Sequence, residues 1–257
     1  MSNKVSAPEL LVLALAIAQQ AGELLVKRPL TFEVTSKSVA IDIATQMDRD
    51  SEKLIVDSLL AARVHDGIIG EEGTTRPSSS GITWVIDPID GTVNYLYGLP
   101  GWSISIAAKD EFGVLVGVVH SPTIGSTWTA TRGGGAFFNG QPIHCNDPIA
   151  LDRALIGTGF VYDVSKRASQ GKVISALLPQ VRDIRRMGSA AVDICYAAMG
   201  AFDGYFEIGL MEWDVAAASL VATEAGALIS TDSNDRTCCA GPTLYPHLIR
   251  ALDMGGS

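Results

Sequence analysis

The sequence predicts an α/β protein built as two fused lobes. Three observations lead to this prediction: strand-like and helix-like runs share the whole chain, the acidic motifs follow strands, and strands alternate with helices in the second half. The 257 residues exceed the usual domain size, but large α/β proteins reach this length as one body. The predicted boundary lies near Asn146-Asp147-Pro148, which divides the chain into lobes 1–146 and 147–257.

The first lobe is predicted to begin with two helices. Ser6-Ala7-Pro8-Glu9 has the pattern of a capping box, and apolar positions continue to Leu25, which indicates an amphipathic helix packed on the body of the protein. A β segment is predicted over 31–44 and a second helix over 50–64. Further apolar or alternating runs predict strands at 68–69, 82–86, 102–108, 114–120 and 127–131, then a hairpin at Asn139-Gly140.

The second lobe is predicted to alternate strands and helices. Its strand-like runs are 155–159, 184–187, 201–208, 227–230 and a last strand from 237. Its helix-like runs are 166–178, 189–199, 215–225 and a final helix that ends near 252. Gly200 and Gly226 follow two of these helices, at the position where glycine commonly ends a helix.

Composition and charge exclude several classes of protein. The chain is 47% hydrophobic with a formal charge of −9, and without a basic stretch it is not expected to bind nucleic acid. Its four cysteines have no C-x-x-C spacing, which predicts reduced, buried thiols in the cytosol. The apolar run 10–18 is shorter than the about 20 residues that span a bilayer. A signal peptide is the alternative interpretation of this run, but we expect no membrane partner.

Two carboxylates and a hydroxyl follow a predicted strand in Asp87-Pro88-Ile89-Asp90-Gly91-Thr92. Pro88 has no N–H group, so the chain is expected to leave the sheet there. Gly91 lets an anion approach the backbone, and the N–H groups of Gly91 and Thr92 are expected to bind phosphate at the start of the next helix. A helix cap needs only one side-chain oxygen, whereas this segment supplies three residues with oxygen ligands. The segment therefore predicts a metal site.

Glu71 and Asp214 occupy similar positions. Glu71 follows an apolar strand in Gly70-Glu71-Glu72-Gly73, and Asp214 is predicted to open a helix. Either side chain could instead be a turn former or a helix cap, and a plain N-cap is the strongest alternative for Asp214. Open α/β sheets bind ligands at strand ends, and Mg²⁺ prefers carboxylate oxygens, so these residues are candidate ligands of one site.

Three motifs resemble the inositol monophosphatase family of Mg²⁺-dependent, lithium-sensitive phosphatases. They are 70–73, 84–95 and the segment from Trp213-Asp214 to Glu224-Ala225-Gly226, in the order and at the separations of that family. The resemblance covers most of the chain, from about Lys37 to the C-terminal helix. It implies a layered α/β/α/β/α sandwich of the sugar-phosphatase type, found commonly as a homodimer.

The resemblance also implies a role for each matching position. The expected ligands of two or three Mg²⁺ ions are Glu71, Asp87, the Ile89 carbonyl, Asp90 and Asp214. Thr92 with Glu71 would orient and deprotonate a metal-bound water, and Asp48 and Lys37 would act near it. The expected substrate contacts are Asp90, Gly91, Thr92, Ser189, Ala190, Glu207 and Asp214. The first lobe would thus carry most metal ligands, and the second would carry Asp214 and substrate-contacting residues.

The expected reaction is Mg²⁺-dependent hydrolysis of a phosphate monoester by a metal-activated water, with inositol monophosphate as the leading substrate. Val93-Asn94-Tyr95 resembles the inositol phosphatase pattern. The same chemistry on histidinol phosphate, 3′-phosphoadenosine 5′-phosphate, fructose 1,6-bisphosphate or an NADP phosphate is the alternative. A non-catalytic regulator that binds a protein partner is an alternative of another class.

Overall fold

The computed structural model describes residues 6–31, 33–36 and 43–255. Its helices are α1 (Ala7–Val26), α2 (Gln46–Ala62), α3 (Thr92–Tyr97), α4 (Val164–Leu177), α5 (Ala190–Ala198), α6 (Glu212–Glu224) and α7 (Tyr245–Gly255). The strands of the first half are β1 (Val34–Ser36), β2 (Ile43–Thr45), β3 (Gly67–Gly70), β4 (Thr75–Arg76), β5 (Thr83–Asp90), β6 (Ser103–Asp110), β7 (Gly113–Ser121), β8 (Ser126–Thr131), β9 (Gly135–Phe138) and β10 (Gln141–Pro142). The strands of the second half are β11 (Leu155–Thr158), β12 (Asp183–Arg185), β13 (Gly204–Ile208), β14 (Leu228–Thr231) and β15 (Arg236–Ala240).

Two large sheets organise the chain. The first has eight strands in the order β10-β9-β8-β7-β6-β5-β3-β4 and is antiparallel except where β3 pairs with β5. The second has five strands in the order β12-β11-β13-β15-β14 and is parallel where β11 pairs with β12 and β13. The strands of the two sheets fall before and after the predicted lobe boundary, which itself remains a prediction.

The elements stack in five layers. One face of the eight-stranded sheet packs on α1 and α2 through a core that includes Leu10, Ile55 and Trp84. Its other face and the five-stranded sheet enclose α5 and α6 in a second core. The outer face of the five-stranded sheet packs on α4 and α7, with Leu177 and Leu248 buried there. The predicted α/β fold, a layered α/β/α/β/α sandwich, is confirmed.

The first helix is longer than the apolar run that predicted it. The capping box of Ser6 and Glu9 is present, and the helix runs for 20 residues. By length and composition alone α1 is long and apolar enough to cross a membrane. Its buried face, which includes Leu10, Ile17 and Leu25, contacts β6 and β7, as expected for a core helix.

The second helix begins at Gln46, four residues before its predicted start. Thr45 is the N-cap, and its hydroxyl accepts hydrogen bonds from the N–H groups of Met47 and Asp48. The Asp48 carboxylate accepts in return from the N–H of Thr45 at 2.6 Å. This reciprocal cap satisfies N–H groups that the helix leaves unpaired, so it moves the helix start and places Asp48 in the first turn.

The prediction that the chain leaves the sheet at Pro88 is wrong. Strand β5 continues to Asp90, and its pairing with β6 shifts register between Asp87, opposite Ser105, and Asp90, opposite Ser103. Pro88 and Ile89 therefore form a bulge, which tolerates a residue that lacks an N–H group. Side chains three positions apart point to opposite faces of a regular strand, and the extra bulge residue lets Asp87 and Asp90 share one side.

Candidate active site

Three carboxylates predicted as metal ligands meet at the end of β5 and the start of α6. One carboxylate oxygen from each of Asp87, Asp90 and Asp214 lies within 4.8 Å of the other two. Asp87 and Asp90 are 2% and 8% exposed. Buried carboxylates at this spacing repel one another unless protons or cations offset their charge, so the donor set fits a hard divalent cation.

The pKa shifts of these carboxyl groups also reflect their burial and close approach. Burial raises the pKa of Asp87 well above its usual value, and the charges of Glu71, Asp90 and Asp214 raise it further. Burial also raises the pKa of Asp90 and, well above its usual value, that of Asp214. The ionised cluster is therefore costly to the folded protein when no cation is bound.

A cavity of about 420 Å³ opens over this cluster. The predicted site residues that line it are Glu71, Asp87, Ile89, Asp90, Gly91, Thr92, Ser189, Ala190, Glu207 and Asp214. Asp48 does not line the cavity but accepts a hydrogen bond from the Thr92 hydroxyl at 3.0 Å. Lys37 lies outside the described residues. The structure thus brings eleven of the twelve predicted site residues together.

Asp90 joins the two halves of the chain. Its carboxylate accepts hydrogen bonds from the Ser189 hydroxyl at 2.5 Å and from the N–H groups of Ala190 at 3.3 Å and Ala191 at 2.7 Å. Ser189 is also the N-cap of α5 and accepts from the N–H of Val192. The polar groups of Ser189 and Ala190 are therefore directed at Asp90, which they orient at the wall of the cavity.

Gly91 is required at this place by its conformation and by its surroundings. Its φ of 91° is in the left-handed region, and a Cβ there would lie 3.0 Å from the carbonyl oxygen of Gly188. Both the positive φ and the nearby Gly188 carbonyl therefore favour glycine at position 91.

Asp214 is not the N-cap of its helix. Helix α6 begins at Glu212, so Asp214 is the third helical residue, and its Oδ2 atom accepts from the N–H of Met211 at 2.6 Å. The plain N-cap interpretation is therefore wrong, although the carboxylate does stabilise the first turn. A carboxylate in this position is also favoured by the helix dipole.

Thr92 lies between the cluster and helix α2. Its Oγ1 atom is 3.0 Å from Oδ1 of Asp48 and 3.1 Å from the carbonyl oxygen of Ile89. Burial raises the pKa of Asp48 to about 6, with hydrogen bonds from Thr45 acting in the opposite direction. Because the Thr92 hydrogen is directed at one of these acceptors, its oxygen can accept a hydrogen bond from a molecule in the cavity.

Glu207 stands on the side of the cavity formed by β13. It accepts a hydrogen bond from the Tyr205 hydroxyl, and burial raises the pKa of Glu207 to about 7. A Cβ at position 159 would overlap its carboxylate, so Gly159 makes room for this side chain. Glu207 is therefore held at the cavity by its neighbours rather than left as an exposed strand end.

Sequence reasoning missed three charged residues that line this cavity: Asp163, Arg186 and Asp193. Arg186 is the only cationic side chain among the described residues that line it, and its charge lowers the pKa of Asp90 and of Glu207 against the effect of burial. Asp193 is 2% exposed, and its Oδ1 atom has no hydrogen-bond partner in the part of the chain described here. Asp193 follows the N-cap Ser189 by four residues, a helical spacing that could have revealed it.

Asp193 should make the stability of the metal-free protein depend on pH. Burial raises its pKa to about 8, Asp90 and Glu207 add to the shift, and the Met187 N–H and Arg186 oppose it. A carboxyl group whose pKa is higher in the folded than in the unfolded protein adds stability at pH values below its unfolded-state pKa. This stability is lost as the pH rises through its folded-state pKa. Between pH 6 and 8 the expected loss is on the order of 2 kcal/mol, or a few degrees in melting temperature.

Thermal unfolding in EDTA at pH 6, 7 and 8 checks this expectation. The Asp193→Asn variant should show a smaller fall in melting temperature across that range than the parent. Asp163→Asn is the control, because the pKa of the exposed Asp163 is lowered by the Ser165 hydroxyl and N–H, so it does not titrate there. Equal pH slopes for Asp193→Asn and the parent would contradict the assignment.

Comparison with known proteins assigns this chain to a family. The chain matches the Inositol monophosphatase family over residues 7–249. It is 41% identical over 205 residues to an inositol-1-monophosphatase of Mycobacterium leprae, covering 76% of this chain and 70% of the relative. It is 38% identical over 225 residues to the Nus factor SuhB of Pasteurella multocida, covering 86% of this chain and 84% of the relative.

The solved structure of the extragenic suppressor protein suhB from Bartonella henselae is similar over almost its whole length. It superposes with a TM-score of 0.91 at 30% identity and covers 96% of this chain and 99% of that protein. The fold and the family match together define the class of protein to which this chain belongs. The chain is a member of the inositol monophosphatase family.

Proposed function

We propose that the protein hydrolyses a phosphate monoester in a Mg²⁺-dependent reaction, with inositol monophosphate as the leading substrate. The observation that carries the proposal is the approach of Asp87, Asp90 and Asp214 to within 4.8 Å at the floor of one cavity. Family membership supports a phosphatase, and the relatives named inositol-1-monophosphatase favour this substrate.

The cation-binding residues would be Glu71, Asp87, the Ile89 carbonyl, Asp90 and Asp214, for two or three ions. Bound Mg²⁺ would act as a Lewis acid toward water and neutralise charge on the phosphoryl group and the leaving oxygen. The protein supplies a rigid acidic floor for this chemistry, because the bulge in β5 and the first turn of α6 fix the directions of the carboxylates.

Thr92 and Glu71 would position the attacking water and accept its proton. The Thr92 oxygen can accept from this water while its own hydrogen is directed to Asp48. With a pKa of about 6, Asp48 is largely ionised at neutral pH and is a strong acceptor for the Thr92 hydroxyl. Lys37 remains a further candidate near this end of the site.

The alcohol part of the substrate would lie against Glu207, on the side of the cavity formed by β13. Hydroxyl groups of a polyol suit this position, because the Glu207 carboxylate accepts from the Tyr205 hydroxyl and has further lone pairs to which a bound hydroxyl can donate. Asp90 and Asp214 would contact the ester group, and the N–H groups of Gly91 and Thr92 would bind phosphate oxygens. Ser189 and Ala190 would form the wall and orient Asp90.

The alternative substrates are histidinol phosphate, 3′-phosphoadenosine 5′-phosphate, fructose 1,6-bisphosphate and an NADP phosphate. A second function, as a regulator that binds a protein partner, is favoured by one observation: several relatives at 37–38% identity are named Nus factor SuhB. We further propose a cytoplasmic homodimer. The four free cysteines support a reducing compartment.

Phosphate release from purified protein tests the proposal. Protein stripped of metal with EDTA should be inactive, and adding Mg²⁺ should restore turnover of inositol 1-phosphate. The four alternative substrates, assayed side by side, should give lower kcat/KM values. If none of the five substrates shows Mg²⁺-dependent turnover, the enzyme proposal is wrong and the regulatory function is favoured.

A further inference from the structure

We propose that Glu52, on helix α2, is a positioning residue for the metal-binding end of the cavity. Its buried carboxylate holds the turn that carries Glu71, although Glu52 does not line the cavity itself. This inference rests on the proposed function and adds to it a residue that acts through Glu71.

Glu52 binds the turn with both of its carboxylate oxygens. Oε2 accepts from the N–H of Glu72 at 2.8 Å, and Oε1 accepts from the N–H of Thr74 at 3.1 Å and from its hydroxyl at 2.5 Å. The side chain is 3% exposed. A Cβ at Gly70 would overlap this carboxylate, so the glycine allows the close approach. Three donors to one buried carboxylate make a strong anchor.

The turn is also held by hydrogen bonds to the eight-stranded sheet and across the turn itself. The N–H of Glu71 donates to the carbonyl of Ile86 at 3.1 Å, and the N–H of Gly70 donates to the carbonyl of Thr74 at 2.8 Å. Glu71 therefore lies between a contact with β5, one residue before Asp87, and the contact of Glu72 with Glu52. Loss of a Glu52 contact would therefore weaken the restraint on the residues that directly follow Glu71.

The same face of α2 positions the other parts of this end of the cavity. Asp48, Ser51 and Glu52 lie on one face, at helical spacings of three and four. Ser51 donates its hydroxyl to the carbonyl of Pro88 in the bulge at 3.2 Å, and Asp48 accepts from Thr92. One helix thus sets the positions of the Glu71 turn, the bulge between Asp87 and Asp90, and Thr92 relative to one another.

A purely structural role is the competing explanation, because any buried carboxylate with three donors contributes to stability. The two explanations differ in what they predict for cation binding. Replacing a purely structural residue lowers the melting temperature only. Replacing a residue that orients a ligand also weakens cation affinity, commonly by about 10- to 100-fold.

The test compares Glu52→Gln with a matched control. The glutamine keeps the size of the side chain. Its amide nitrogen would face either the N–H of Glu72 or the N–H and hydroxyl of Thr74, so at least one contact is lost. The control is Asp66→Asn, a carboxylate in the same half of the chain that is 1% exposed and accepts from Arg63, Ser80 and Trp84. Asp66 does not line the cavity, so its change should lower stability without changing cation affinity.

Mn²⁺ binding is measured by electron paramagnetic resonance of the free ion, alongside the Mg²⁺ dependence of phosphate release. For Glu52→Gln we expect the Mn²⁺ dissociation constant and the half-saturating Mg²⁺ concentration to rise together by about 10- to 100-fold, with partial recovery of kcat at high Mg²⁺. For Asp66→Asn both values should stay within about twofold of the parent. Thr74→Val, which removes one donor to Glu52, should give a smaller shift in the same direction and serves if Glu52→Gln does not fold.

Unchanged Mn²⁺ affinity in Glu52→Gln, or an equal loss in Asp66→Asn, would overturn the inference. The result remains distinct from a failure of the proposed function. A parent protein that binds Mn²⁺ but hydrolyses no monoester would refute the enzyme proposal, while the binding comparison would still decide the role of Glu52.

Discussion

Replacing Asp90 by asparagine is expected to lower kcat for inositol 1-phosphate by about 100- to 1,000-fold. The change removes one charge from the cluster of Asp87, Asp90 and Asp214, which lie within 4.8 Å of one another. Since Asp90 is proposed both to bind the cation and to contact the ester group, the loss should appear in kcat and in the half-saturating Mg²⁺ concentration.

A moderate loss of stability should accompany this loss of activity. Asp90 accepts from the Ser189 hydroxyl and from the N–H groups of Ala190 and Ala191, and an amide nitrogen in place of one oxygen would face a donor. The expected cost is about 1–3 kcal/mol, offset in part because a buried charge is removed from a crowded cluster. Stability should therefore fall far less than activity.

Kinetics and Mn²⁺ binding on folded protein check the Asp90 prediction. Ser189→Ala is the matched control, because it removes the hydroxyl donor to Asp90 and keeps the carboxylate charge. Its kcat should fall by much less than that of Asp90→Asn. If the two variants lose activity equally, orientation rather than charge explains the effect, and turnover within tenfold of the parent in Asp90→Asn would exclude Asp90 as a cation ligand.

Replacing Thr92 by valine is expected to lower kcat by about 100-fold or more while leaving cation affinity unchanged. Valine keeps the branched shape but has no oxygen, so the attacking water would lose one of its two proposed acceptors and the contact with Asp48 would be lost. General base assistance typically contributes about 10²- to 10⁴-fold. Thr92 is not a proposed cation ligand, which is why the Mg²⁺ dependence should be retained.

Serine at the same position provides the control. Thr92→Ser keeps the hydroxyl at the start of α3 and should restore most of the turnover. Rates are compared at saturating Mg²⁺, and Mn²⁺ binding is measured for each variant. Equal activity of the valine and serine variants would show that the hydroxyl is not used, and weakened Mn²⁺ binding in the valine variant would instead assign Thr92 to the cation site.

Local sequence chemistry predicted most elements, and its errors have identifiable causes. The pattern of Thr45 and Asp48 is a capping box, and reading it would have placed the start of α2 correctly. The course of β5 through Pro88 was missed because a bulge depends on pairing with β6, which no local pattern reveals.

For the candidate site, too, the sequence predicted some features and missed others. The acidic residues were recognisable because each follows a strand or opens a helix, but their contacts were not. Glu52 and Asp193 went unnoticed, although each follows a recognised residue, Asp48 or Ser189, by four positions on a helix. Only the folded chain shows that Glu52 binds the Glu71 turn.

By itself the sequence determined the class of fold, the order of strands and helices, and the acidic motifs, because capping, periodicity and turn chemistry act over a few neighbouring residues. The tertiary structure alone decided that Asp87 and Asp90 share one side of β5, that Asp214 meets them, and that α5 donates to Asp90. Those outcomes depend on how the layers pack and on strand register, which involve residues far apart in the chain.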